Sequence, residues 1–176
     1  MEGSIQVYYG AGRGKTTAVL GLGIRVASSG KEVIMVQFLR CKHSDTLDYL
    51  KRLEPELQIF RFESGMEDYS DLSEEKRKEQ ETNIRTALAY TRKVIDTAQC
   101  DLLILDGIFG LIDLGIISEQ ELKDLISRKD ESMDLILTGR ILPDSIREMA
   151  DCIYRIFTEK EQTVAILDKF SGKGNL

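Results

Sequence analysis

The sequence predicts an α/β protein: a doubly wound, mainly parallel sheet with helices on both faces. Three observations predict it. Short apolar runs, such as Glu32–Leu39 and Asp101–Asp106, alternate with longer stretches of helical period. Those runs are apolar enough to be covered on both faces, as strands of a parallel sheet are. A glycine-rich stretch joins the first run to the first helical stretch, where an α/β sheet places a ligand.

Each element has its own local reason. "SIQVYY" reads as the first strand. A helix follows from Gly14 to about Ser29, with Val19, Leu20, Ile24 and Val26 on its apolar side and Gly30 closing it. "EVIMVQFL" is the second strand. Thr46 to Leu53 reads as a short helix, Pro55 as the turn after it, and "LQIFRF" as a third strand. Glu63 to Asp71 is acidic and irregular, a loop. Ser73 caps a long helix to about Ala98, with Glu74 and Glu75 at the positive end of its dipole. The dense charge from Glu74 to Glu81 reads as a solvated helix face. "DLLILD" is the fourth strand, Ser118 caps a helix to about Arg128, and "MDLILTG" is the fifth strand. Pro143 starts another helix, "CIYRIF" is a sixth strand, "TVAIL" a seventh, and the tail after Ser171 is expected to be mobile.

The totals narrow the function classes. A chain of 176 residues is one domain, here residues 1–176, long enough to fold without disulfides or metals. A net charge of −6 argues against nucleic acid and membrane surfaces as partners. No apolar stretch approaches the ~20 residues of a membrane span, and the N-terminus lacks a signal-peptide pattern, so a cytoplasmic protein is expected. Cys41, Cys100 and Cys152 are too scattered for a disulfide framework or a zinc site. Cys100 and Cys152 edge apolar runs and are expected to be buried. The lone histidine, His43, lies in a polar stretch with no nucleophile elbow in sight.

The chemistry starts at Tyr9-Gly10-Ala11-Gly12-Arg13-Gly14-Lys15-Thr16-Thr17. The usual phosphate loop reads G-x-x-x-x-G-K-[ST], and its first glycine is replaced here by Tyr9. The context is nonetheless right, because the stretch follows a strand and opens a helix, so backbone N–H groups face a phosphate. Gly10, Gly12 and Gly14 allow the tight turn, and Lys15 and Arg13 supply cations. Thr16 can place its hydroxyl on Mg²⁺. The fold expected is therefore P-loop NTPase-like (RecA-like). "LLILD" ends in Asp106, the second acidic strand end that helps hold the metal. Gly107 follows, where many such enzymes carry an acidic residue to polarise water, so efficient hydrolysis is not expected. "LTGR" closes the fifth strand and brings Arg140 to the same edge, where it can neutralise a leaving polyphosphate.

Together these residues resemble the ATP:corrinoid adenosyltransferase family of the CobA/BtuR/CobO type. The loop is similar to the family's T-G-x-G-K-G-K-T-T, with Tyr9 and Arg13 substituted. The likeness continues through Gly21, Arg25, Val36-Gln37-Phe38, Leu105-Asp106, Leu137-Thr138-Gly139-Arg140 and Ala150-Asp151, over roughly residues 5–156. The resemblance implies that Co(I) of a reduced corrinoid attacks the 5′-carbon of ATP and triphosphate leaves. It places Gly10, Ala11, Gly12, Arg13, Gly14, Lys15, Thr16 and Thr17 on the triphosphate and Arg25 near the nucleoside. Thr16 and Asp106 lie by Mg²⁺, and Lys15 and Arg140 act on the leaving group. On the corrinoid side it implies Gln37, Phe38, Phe62 and Tyr69. An electron-donor reductase and a homodimer follow as expected partners. The chain departs from the family at Gly107, where the family has Glu, and in having no Trp. Two readings stay open beside transfer: an ATP-binding relative acting in regulation or assembly, and a small-molecule kinase.

Overall fold

Side chains alternate between the two faces of a strand, and here both sets are apolar, so helices must cover both. The computed structural model describes residues 2–39, 50–62, 69 and 72–160. Its strands are β1 Ile5–Tyr9, β2 Val33–Gln37, β3 Leu57–Arg61, β4 Leu102–Asp106, β5 Asp134–Gly139 and β6 Cys152–Arg155. Its helices are α1 Lys15–Ala27, α2 Glu74–Asp96, α3 Ile108–Asp113, α4 Glu119–Ile126 and α5 Asp144–Arg147. The strands form one six-stranded sheet in the order β3-β2-β4-β5-β1-β6. Every pairing among the described strands is parallel, in keeping with the mainly parallel sheet expected.

On one face Tyr8, Met35, Leu57, Ile104 and Ile136 pack with Val19 of α1. On the other, Val7, Ile34, Val36, Leu103, Leu105, Leu135 and Leu137 pack with residues of α2, α3 and α4, among them Ile84, Phe109 and Leu122. The charged start of α2 is exposed, as expected for a solvated face. The caps also agree. The Ser73 hydroxyl accepts from Lys76 N, and Ser118 forms a capping box with Glu121. Gly30, at φ 80°, closes α1.

Several expectations change. A short helix, α3, which the sequence does not predict, follows β4. It approaches so closely that a Cβ on Gly139 would collide with the Phe109 ring. Cys100 is buried, whereas Cys152 is exposed, because it opens the edge strand β6, all of whose positions are exposed. Of the short helix expected from Thr46 to Leu53, the described part is helical at Leu50 and a 3-10 turn at Lys51–Leu53. The expected loop at 63–71 apart from Tyr69, the seventh strand at 163–167 and the tail lie outside the described residues. So do Cys41 and His43.

The sheet order positions the site. β5 lies between β1, which feeds the glycine-rich loop, and β4, which ends in Asp106. Register pairs Arg61 with Gln37 and Gln37 with Asp106 across β3, β2 and β4. Counting by twos, Arg61, Gln37, Asp106 and Thr138 share the face of Ile59, Met35, Ile104 and Ile136, the face that α1 covers. They therefore form a polar row at the carboxyl ends of the strands, beside the start of α1.

Candidate active site

The glycine-rich loop is held by its neighbours. Gly10 N donates to the carbonyls of Gly139 and Arg140 at 3.2 and 3.1 Å, and Gly12 N to that of Ile156 at 3.0 Å. A Cβ on Gly12 would lie 2.6 Å from Phe157 Cα, so this residue must lack a side chain. Gly14 precedes α1 at φ 100°, a conformation that costs an L side chain about 1–2 kcal/mol. Lys15 turns back into the loop, its Nζ donating to Gly10 O at 2.6 Å and Gly12 O at 2.7 Å. The ammonium is thus held against the turn whose N–H groups would meet a phosphate. Ala11, Arg13, Gly14 and Thr17 are exposed along it.

Asp106 is the centre of the row. It is 1% exposed, and its carboxylate accepts hydrogen bonds from residues of three other elements. Thr16 Oγ1 lies 3.1 and 3.0 Å from Oδ1 and Oδ2. Thr138 Oγ1 donates to Oδ1 at 2.8 Å, and Gln37 Nε2 to Oδ2 at 2.9 Å. Arg61 Nε in turn donates to Gln37 Oε1 at 2.7 Å. Thr138 also accepts from Gly107 N at 2.8 Å, which ties the end of β4 to the end of β5. A buried carboxylate with this set of donors is satisfied and fixed in orientation.

The other predicted residues fall in different places. Arg140 follows β5 and is exposed, its backbone carbonyl holding the loop. Its charge acts on Asp113, whose carboxyl burial pushes up and Arg140 partly pulls back down. Arg25 is exposed in the last turn of α1. The helix rise puts it about 15 Å along the axis from Lys15. Phe38 is 1% exposed, so its ring belongs to the core. Phe62 joins Phe60 and Tyr90 in an aromatic cluster, with ring centroids 5.6 Å from Tyr90. The Tyr69 hydroxyl donates to Glu81 Oε1 at 2.7 Å. Phe62 and Tyr69 pack against the same apolar cluster that holds the Phe38 ring, whereas the Gln37 amide joins the polar row at Asp106.

Thr138 and Arg61 were missed as site residues, and Gln37 was assigned elsewhere. A signal existed. Gln37, Asp106 and Thr138 are each the first polar side chain to close an apolar strand on the same face. Their mutual contacts depend on strand order, which no local pattern encodes. Gly107 stands at φ 84°, and a Cβ there would lie 2.8 Å from Phe38 O. The family's glutamate at this position would be strained on this backbone.

Comparisons with known proteins bear on the family and the fold. The family model described as ATP:corrinoid adenosyltransferase BtuR/CobO/CobP matches residues 1–166. A corrinoid adenosyltransferase of Escherichia coli (strain K12) is 25% identical over 152 residues, 86% of this chain and 75% of that protein. An uncharacterised protein of Nostoc sp. is 26% identical over 163 residues, 86% of this chain, and the match spans 43% of that protein. Among solved structures, a KaiC-like protein from Pyrococcus horikoshii aligns with a TM-score of 0.54 at 16% identity, covering 90% of this chain and 75% of that one. That likeness concerns the fold.

Proposed function

Since the chain belongs to the ATP:corrinoid adenosyltransferase BtuR/CobO/CobP family, we propose that it transfers the 5′-deoxyadenosyl group of ATP to the Co(I) of a reduced corrinoid. The cobalt electron pair forms the Co–C bond, the C5′–O bond breaks, and triphosphate leaves with that bond's electrons. The nucleophile comes with the acceptor, so the protein need only position groups and stabilise leaving charge. The observation that carries the reading is the cluster of Lys15, Thr16 and Asp106 at the mouth of the glycine-rich loop. No general base is required, and Gly107 offers none where water would be activated.

Residues take their roles from this reading. The loop from Gly10 to Thr17 binds triphosphate through backbone N–H groups, with Lys15 and Arg13 as cations. Arg140 meets the leaving charge at the end of β5. Phe62 and Tyr69 lie toward the acceptor. Phe38 contributes through its backbone, since its ring is buried.

Mg²⁺ suits the residues present. Thr16 Oγ1 and the Asp106 carboxylate are hard oxygen donors lying 3.0 Å apart. Among the described residues no group of three His, Cys, Asp or Glu could form an all-protein cage. Mg²⁺ is commonly held by one or two protein oxygens, substrate phosphates and water. Bound there, the ion would offset phosphate charge and hold the triphosphate in register with Lys15. Residence in the cytoplasm, supply of Co(I) by an electron-donor reductase and assembly as a homodimer complete the reading. No helix of the described residues is long and apolar enough to cross a membrane.

The test mixes the protein with ATP, Mg²⁺ and chemically reduced cobalamin or cobinamide, and follows the visible spectrum. A light-sensitive Co–C product is expected. ATP binding without product from either corrinoid would sink the proposal and favour the non-transferring relative.

A further inference from the structure

Asp106 does not choose its own orientation: the strand-end row holds it. An arginine guanidinium has only donors and a carboxylate only acceptors. The Gln37 amide lies between the two, 2.7 Å from Arg61 Nε and 2.9 Å from Asp106 Oδ2. Only one orientation of the amide satisfies both, with Oε1 toward Arg61 and Nε2 toward Asp106. The opposite orientation would set Oε1 against the carboxylate and an amide N–H against the guanidinium. Gln37 is 4% exposed, so neither mismatch would be relieved by solvent.

We infer that Arg61 is a positioning residue for the nucleotide's cation. Standing on β3, it fixes the polarity of the Gln37 amide on β2. Through it, Arg61 holds the Asp106 carboxylate of β4 in place beside Thr16. Three strands in register carry the effect, Arg61 to Gln37 to Asp106. On the far side of the carboxylate, Thr138 bonds Oδ1, so Arg61 and Thr138 hold it from opposite flanks. This rests on the proposed ATP site and adds to it a residue that touches neither ATP nor cation.

The outer partners of metal-binding groups commonly change metal affinity by about 10–100-fold when removed. The test is the Mg²⁺ concentration that half-saturates binding of a fluorescent ATP analogue by the full chain. It is measured for wild type, Arg61→Ala, Gln37→Leu and the double variant. Unfolding midpoints for each identify any variant that fails to fold. Arg61→Ala is expected to raise the half-saturating Mg²⁺ concentration about tenfold, with little change in analogue binding at saturating Mg²⁺. The double variant is expected to match Gln37→Leu alone, because Arg61 acts through the amide. An Arg61→Ala profile like that of wild type, or effects that multiply in the double variant, overturns the inference while leaving the ATP site intact. Absence of Mg²⁺-dependent binding by wild type overturns the site reading and, with it, the inference. Should Arg61→Ala not fold, Arg61→Met, which keeps the apolar stem and removes the guanidinium, takes its place in the same comparison, with the same expected and overturning results.

Discussion

Replacing Thr138 by valine is the most direct probe of the strand-end row. The two side chains are nearly the same size, so no cavity opens, and the change falls on the hydroxyl. That hydroxyl donates to Asp106 Oδ1 at 2.8 Å and accepts from Gly107 N at 2.8 Å. Thr138 and Asp106 are each 1% exposed, so water cannot substitute at low cost. A bond to a charged group contributes about 1.5–3 kcal/mol, and a buried N–H left without its partner costs about 1–3 kcal/mol. Thr16 and Gln37 still serve the carboxylate, which places the sum near the lower end, at about 3 kcal/mol. With a urea slope of about 2 kcal/mol per molar, the unfolding midpoint should fall by roughly 1.5 M with the slope unchanged. A loss under about 1 kcal/mol would refute the claim that this hydroxyl joins β4 to β5, because a neutral exposed bond is worth that much.

Other perturbations test neighbouring features. Lys15→Ala should abolish ATP binding by calorimetry while circular dichroism stays that of the folded chain, and unchanged affinity would refute the location of the phosphate site. Gly107→Ala should lower stability in urea by at least about 1–2 kcal/mol, the cost of the left-handed conformation. A glycine in an ordinary conformation would show the opposite sign, a gain of about 0.4–1 kcal/mol. Burial pushes the Cys100 thiol up to about 12, so the thiol form persists at pH 8 and the reactive thiolate is scarce. Peptide mapping after iodoacetamide treatment of the native protein should find Cys152 modified and Cys100 spared. Rapid modification of Cys100 below pH 9 would contradict its placement under the sheet.

Much of the fold was legible because its signals are local. Apolar runs marked the strands, and Ser73 and Ser118 marked helix starts that their side chains do cap. Lys15, Thr16 and Asp106 were legible as chemistry; the structure joins Thr16 to Asp106 and turns Lys15 into the glycine-rich loop. What stayed hidden depends on strand order. Gln37 and Asp106 are 69 residues apart in the chain, and only adjacency of β2 and β4 makes them partners. Within "LTGR" the charged Arg140 drew notice, yet the buried Thr138 makes the bond to Asp106. Cys152 misled because an edge strand and a central strand share the same apolar spelling, and only the sheet order tells them apart. The helix α3 escaped because its six residues are too few to show a helical period.

The crowding at Gly107 also constrains how this site can change. A side chain there meets the carbonyl of Phe38, and the amide of that same residue donates to Asp106 O at 2.8 Å. Leu39, next along, already sits at φ 55°. Admitting a glutamate beside Asp106 therefore means moving the 37–39 peptides, and with them the amide that steadies the end of β4. Substitutions at 107 and at 37–39 are therefore expected to be epistatic. Relatives of this chain that carry an acidic residue after the aspartate are expected to differ in the β2 exit as well.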